Sequence, residues 1–225
     1  MTSSRTVFVT GGTGFMGRPL IEALAARGYQ VHALVRRGSE RRLPPGASPV
    51  FGDALDAATF GSAVPDGATV VHLVGTPHPN PSKAAEFRQV DLASIQEMVA
   101  AAGRARARHL VYVSVAHETP VLREYVAARQ AGEALIRESG IPATVLRPLY
   151  VIGPGRFWPV LFLPVFGVLL LLPATRERAR RLALVSRRAM VAALVRAVEE
   201  PPAAGIRVLD VPAIRRSSNV AREMP

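Results

Sequence analysis

The chain has 225 residues and a mass of 24.1 kDa, which suits one α/β domain with a small appendage and leaves two independent domains cramped. Apolar residues make up 49% and charged residues 20%, which excludes intrinsic disorder and a coiled coil; the lack of cysteine excludes disulfides, thiolate nucleophiles and cysteine-held metals and fits a reducing cytoplasm. The net charge of +11 rests on one lysine, Lys83, and otherwise on arginine, with 16 basic and 12 acidic side chains in residues 1–150 against 12 and 5 in residues 151–225. Such a balance favours anionic partners, but no helix-turn-helix, zinc-finger or aromatic-and-basic RNA-binding pattern is present, so nucleic acid is not an expected partner.

The opening MTSSRTVFVTGG enters a strand directly, without an apolar signal core, so a cytoplasmic location is expected. Thr6–Thr10 is a β-branched and aromatic run that stops at Gly11 and Gly12; an apolar helical pattern follows over residues 15–26 and closes at Gly28. Residues 31–35 predict a second strand, 49–51 a third, and 69–74 a fourth with the near-continuous apolarity of a strand covered on both faces. A long helix is predicted over 82–102, a fifth strand over 109–115, a helix over 121–138 and a sixth strand over 143–149. This alternation predicts a Rossmann-like, doubly wound parallel sheet with helices on both faces, whose ligand lies at the carboxyl ends of the strands near the switch point.

Beyond residue 150 the pattern changes. Residues 157–173 form an apolar run broken by Pro159, Pro164 and Pro173, and Arg176, Arg178, Arg180 and Arg181 follow. Ser186 is placed to cap a helix with Met190, Val191, Leu194, Val195 and Val198 on one face, and residues 206–211 predict a last strand. The organisation is therefore a core over 1–150, a small C-terminal appendage over 151–213 completing the same domain, and a flexible tail over 214–225.

The strongest local signal is Thr10-Gly-Gly-Thr-Gly-Phe-Met-Gly17 between a strand and a helix. Gly11 permits a tight turn, Gly14 lets the backbone approach a pyrophosphate, and Gly17 lets the helix lie close to the strand; Thr13, Phe15 and Met16 complete a turn whose amides face the anion. After the second strand, where a carboxylate would accept from the ribose 2′-hydroxyl, the chain has Arg36 and Arg37. Guanidinium groups there would clamp a 2′-phosphate, so NADP(H) is expected in preference to NAD(H). The five histidines show no metal-ligand spacing, and no metal is expected.

These residues resemble the short-chain dehydrogenase/reductase superfamily, in its extended and atypical, NmrA-like branch. The resemblance includes Gly52-Asp53-Ala-Leu-Asp56, Val71-His-Leu-Val-Gly75, Val111-Tyr-Val-Ser114, Tyr125-Val-Ala-Ala-Arg129 and Leu146-Arg-Pro148. It implies that Asp53 and Leu55 border the adenine, that Val74 and Gly75 lie along the ribose side, that Thr76 also belongs to the cofactor site, and that Pro148 to Val151 border the nicotinamide. The superfamily's catalytic tyrosine and lysine, four residues apart on one helix face, read here Tyr125 and Arg129. The resemblance implies that Tyr125 protonates a developing alkoxide or enolate while Arg129 holds the ribose and favours tyrosinate. Arginine keeps the lysine's charge but cannot relay a proton. Ser114 falls on the usually structural serine position, and the positions for the catalytic hydroxyl read Val115, Ala116 and His117, which leaves His117 as a substitute donor.

By the same resemblance the region after the sixth strand forms the substrate side of the cleft. Phe157, Trp158, Phe162 and Phe166 then line a greasy pocket or lid, and with the arginines up to Arg181 the segment 157–181 also fits peripheral contact with an anionic bilayer; a buried structural cap is the plainer reading. The superfamily's dimer pairs helices matching 82–102 and 121–138, so a homodimer is allowed. The expectation is an NADP(H)-dependent oxidoreductase passing hydride to a carbonyl or conjugated double bond of an apolar small molecule. A non-catalytic NADP(H)-binding redox sensor or membrane-complex accessory protein, and an epimerase or isomerase with bound cofactor, are the alternatives.

Overall fold

A computed structural model describes residues 5–77, 79–117, 122–156 and 183–223. Seven parallel strands form one sheet in the order β3-β2-β1-β4-β5-β6-β9, built from β1 (Thr6–Thr10), β2 (Gln30–Val35), β3 (Ala47–Phe51), β4 (Thr69–His72), β5 (His109–Val113), β6 (Ala143–Leu146) and β9 (Ile206–Leu209). A separate two-stranded ribbon pairs β7 (Val151–Ile152) with β8 (Val185–Ser186). The helices are α1 (Gly17–Ala25), α2 (Ala93–Arg104), α3 (Arg123–Glu138), α4 (Arg187–Glu199) and α5 (Val211–Glu223).

The inner strands are largely apolar because each faces two cores, and the polar side chains they do bury are hydrogen-bonded, as Thr10 with His72 and His109 with Thr144. Along β1, Val7 and Val9 turn to the layer of α1, α4 and α5, and Phe8 to the layer of α2 and α3. In the first layer Leu20, Ile21 and Leu24 of α1 meet Met190, Leu194 and Val198 of α4; in the second, Ile95 and Met98 of α2 and Ile136 of α3 cover Val70, Leu110 and Val145. Burying each such side chain contributes about 1.5–3 kcal/mol.

Three departures from the sequence reading position the site. The fourth strand ends at His72 rather than at residue 74, because here β4 parts from β1 at the switch point, so Leu73, Val74 and Gly75 form a loop that lines the cleft. The predicted helix over 82–102 is a composite. Asn80 caps a 3-10 turn (Pro81–Lys83), a short α segment (Ala84–Glu86) follows, and a π-helical stretch (Phe87–Leu92) leads into α2. The wider π turn brings both Phe87 and Asp91 inward, and both are buried. Finally, the residues expected as a flexible tail from 214 onward continue α5. Asp210 accepts from the Ala213 N–H at 2.9 Å and Ile214 is fully buried in the first core, so a cap and an anchor hold the start of that helix.

Candidate active site

The glycine turn between β1 and α1 is fixed by close contacts. Gly11 has φ +74°, and a Cβ there would stand 2.9 Å from the Leu73 carbonyl carbon; a Cβ on Gly17 would overlap the Gly11 oxygen and lie 2.6 Å from the Gly12 Cα. Gly14 differs: its missing Cβ would meet only the Gly11 oxygen, at 3.1 Å, and its other side opens into the cleft. The turn therefore has the bare backbone approach that a pyrophosphate requires.

The cleft at the carboxyl ends of the strands has two lobes, of about 400 and 340 Å³, joined along Gly14, Leu73, Gly75 and Pro77. Gly11, Thr13, Arg36, Asp53, Leu55 and Val74 line the first lobe. Among the described residues Asp53 is the sole acidic one lining it, and Asp53 Oδ1 accepts from the Leu55 N–H at 3.0 Å, which fixes the loop beside the strand end. Arg37 does not line this lobe. Its guanidinium rests on Phe51, 5.4 Å from the ring centre, and Arg42, brought back by the 3-10 turn Glu40–Arg42, stands with Ser39 on the lobe wall instead. Chain spacing alone does not reveal Arg42, since it reaches the lobe only through that turn.

Phe15, Met16, Thr76, Ser114, Tyr125, Arg129, Pro148 and Val151 line the second lobe. The structure thus gathers most of the predicted residues, but it gives Arg129 a different setting. Its guanidinium is buried, donates to Asp91 Oδ1 at 2.6 Å and to the Val113 carbonyl at 3.0 Å, and lies near the Tyr112 hydroxyl at 3.4 Å. Asp91 is fully buried, and its second oxygen accepts from both the backbone N–H and the hydroxyl of Thr76. Burial opposes the charge on Arg129, but Tyr125, Tyr112 and Asp91 outweigh it and hold the guanidinium above its ordinary pKa.

Gly75 makes this arrangement possible, because a Cβ there would collide with the Arg129 guanidinium. Arg129 Cζ lies over the Tyr125 ring, 5.2 Å from its centre, while the Phe87 ring meets the same tyrosine at a 60° tilt with centres 5.1 Å apart. Asp91 went unrecognised in the sequence. Its signal was present: an acidic residue at helical spacing between the apolar Phe87 and Ile95 must find a buried cation.

His117 lines neither lobe. Its Nε2 lies 3.0 Å from Glu133 Oε1, and Arg147 grips the same carboxylate through Nε at 3.0 Å and a terminal nitrogen at 2.5 Å. Burial alone would raise the Glu133 pKa, but hydrogen bonds from Arg147 and the charges of Arg147 and His117 hold it below the usual value. This cluster ties α3 to the ends of β5 and β6. The apolar run 157–173 and Arg176 to Arg181 lie outside the described residues. Among the described residues no group of three or more histidine, aspartate or glutamate side chains is placed to hold a metal, and no helix is long and apolar enough to cross a membrane.

A parallel sheet with a glycine turn at its switch point and a two-lobed cleft above it defines a Rossmann-fold dinucleotide-binding protein. Residues 11–153 match the family described as NAD(P)H-binding, and the chain belongs to that family, within the atypical short-chain dehydrogenase/reductases. It is 33% identical over 158 residues to the ceramide reductase of Caulobacter vibrioides, covering 66% of this chain and 47% of that protein. It is 34% identical over 175 residues to the 3-diazoavenalumate denitrifying reductase of a Streptomyces species, covering 66% of this chain and 57% of the relative. The chain thus spans about half the length of the curated relatives it matches. In fold it is similar to the Bordetella bronchiseptica enzyme WbmH in complex with NAD+, with TM-score 0.67 and 22% identity over 91% of this chain and 75% of the other.

Proposed function

We propose that this protein is an NADP(H)-dependent oxidoreductase that reduces a carbonyl or conjugated double bond of a largely apolar small molecule. The observation that carries the cofactor reading is the pairing of Arg36 with Arg42 on the wall of the first lobe, where two guanidinium groups suit a 2′-phosphate. The open face of Gly14 suits the pyrophosphate, and the second lobe beyond it suits the nicotinamide. A bound nicotinamide would supply the hydride.

The chain's own residues would do the rest. Tyr125 presents its phenol to the second lobe and is the proton donor to the developing oxyanion; Phe87 and Arg129 hold its ring. Arg129 acts as a fixed positive charge, and its pairing with Asp91 takes it away from the ribose-holding role that the superfamily's lysine suggests. Met16, Leu149 and Val151 give the lobe an apolar wall that excludes water. Relatives named as a ceramide reductase and as a ketoreductase of a farnesylated quinoline oxide support reduction of a lipophilic molecule.

The same Asp91–Arg129 pair favours a second reading, a nucleotide-binding accessory protein without turnover; relatives named photosystem II assembly factor Ycf39 fit it. Calorimetric titration with NADPH and NADH tests the cofactor. Arg36→Asp with Arg42→Ser is expected to weaken NADPH by about tenfold or more, the worth of a lost charge-assisted hydrogen bond, while leaving NADH nearly unchanged. Arg37→Ser, outside the lobe, is expected to do much less. Equal losses for both nucleotides would remove the NADP(H) preference. NADPH consumption with lipophilic ketones, abolished in Tyr125→Phe, separates the reductase from the accessory protein.

A further inference from the structure

Phe15 leaves the glycine turn with two arginines against its ring. The Cζ of Arg156 lies 4.8 Å from the ring centre and that of Arg187 lies 5.1 Å from it. They arrive from separate places, Arg156 from the turn closed by the Gly153–Arg156 bridge and Arg187 from the first turn of α4. Gly153 lets them meet, since a Cβ there would stand 2.9 Å from the Arg187 Cβ and 3.3 Å from the Phe15 Cζ.

Neither arginine has an acidic partner among the described residues, and α4 has no acidic residue in its first turn. Some guanidinium groups elsewhere are paired, as in Arg27–Glu199, Arg106–Asp66 and Arg147–Glu133, but these two are held against an aromatic ring instead. Contact with a phenyl ring offsets part of the repulsion between two like charges, and among the described residues neither guanidinium has a hydrogen-bond acceptor. Two such guanidinium groups brought to one ring supply the donors that a carboxylate or phosphate takes.

Their position says which molecule brings the anion. Arg156 lines the second lobe together with Tyr125, whereas Arg187 lines an adjoining cavity of about 420 Å³ whose walls include Pro19, Ile152, Pro154 and Val191. A charged group held at Phe15 would therefore have an apolar surface on one side and the proton donor's lobe on the other. We propose that Arg156 and Arg187 bind the anionic group, a carboxylate or phosphate, of an amphiphilic substrate whose apolar part lies against Ile152 and Val191. Calling that ligand a substrate rests on the reductase reading; the anion site itself does not.

The test titrates the whole chain with octyl phosphate, octanol and inorganic phosphate, and separately with NADPH. Octyl phosphate is expected to bind about tenfold or more tighter than octanol or inorganic phosphate, the equivalent of at least one charge-assisted hydrogen bond. Arg156→Gln with Arg187→Gln is expected to bind octyl phosphate no better than octanol, with NADPH affinity kept. Each single replacement should remove part of the preference, which keeps the test readable if the double variant does not fold. Equal binding of octyl phosphate and octanol to the unaltered protein overturns the proposal, as does an unchanged preference in the variants. A loss of NADPH affinity matching the loss for octyl phosphate also overturns it, assigning the arginines to the cofactor's pyrophosphate. Failure of the unaltered protein to bind NADPH counts against the reductase reading alone, since the anion preference is measured without nucleotide.

Discussion

Arg129 and Asp91 show how one buried contact constrains a site. A guanidinium and a carboxylate both removed from water are stable only together, and removing one strands the other at a cost of about 3–5 kcal/mol. Asp91→Ala is therefore expected to lower the free energy of unfolding by about that amount in urea titrations. Asp91→Leu with Arg129→Met, which removes both charges, is expected to recover most of the loss. If the single and double variants are equally unstable, the pair does not behave as a unit. The carboxylate also fixes Thr76, so Asp91→Ala would disturb the loop from Leu73 to Thr76, where the two lobes join.

At the scale of elements, the regular parts were legible and the exceptions were not. Parallel strands covered on both faces must be apolar, and β1, β4 and β5 announce themselves for that reason. The glycine turn was legible because Gly11, Gly14 and Gly17 each answer a different steric demand. The π stretch was not, since its extra residue changes the helical register without changing composition. The β7–β8 ribbon was equally hidden, being two residues of each strand paired across a gap of more than thirty. The predicted cap at Ser186 is present: its hydroxyl accepts from the Ala189 N–H at 3.1 Å and opens α4. Ser186→Ala is expected to lower stability by about 1 kcal/mol, read as a lower midpoint of thermal unfolding. No change in midpoint would show that β8, rather than the hydroxyl, fixes the start of that helix.

For the whole molecule, two histidines inside the sheet govern the response to acid. His72 bridges Thr10 and Ser94, and burial followed by the charge of Arg129 lowers its pKa from 6.5 to about 3; burial, then Arg207 and Arg108, lowers that of His109 to about 4. As pH falls, the unfolded chain takes up these protons before the folded one does. The stability the two groups contribute is thus whole above pH 6.5 and is lost as pH drops toward their folded values. Between about pH 6 and about pH 4.5 each should remove about 1.4 kcal/mol per pH unit, so urea midpoints across this window should fall steadily. A flat profile would mean that the histidines open to water without unfolding.

The order of strands also sets a sequence of events during synthesis. β6 takes its outer neighbour from β9, so Ala143 waits for Ile206 and Leu146 for Leu209. Until those residues leave the ribosome, a mostly apolar strand stands at a bare edge with its hydrogen-bonding groups free, the configuration that invites pairing with another nascent chain. The interval between β6 and β9 is consequently when this protein depends most on chaperones. A chain stopped short of residue 206 would be prone to aggregate although its glycine turn and both lobes of its cleft had already been made.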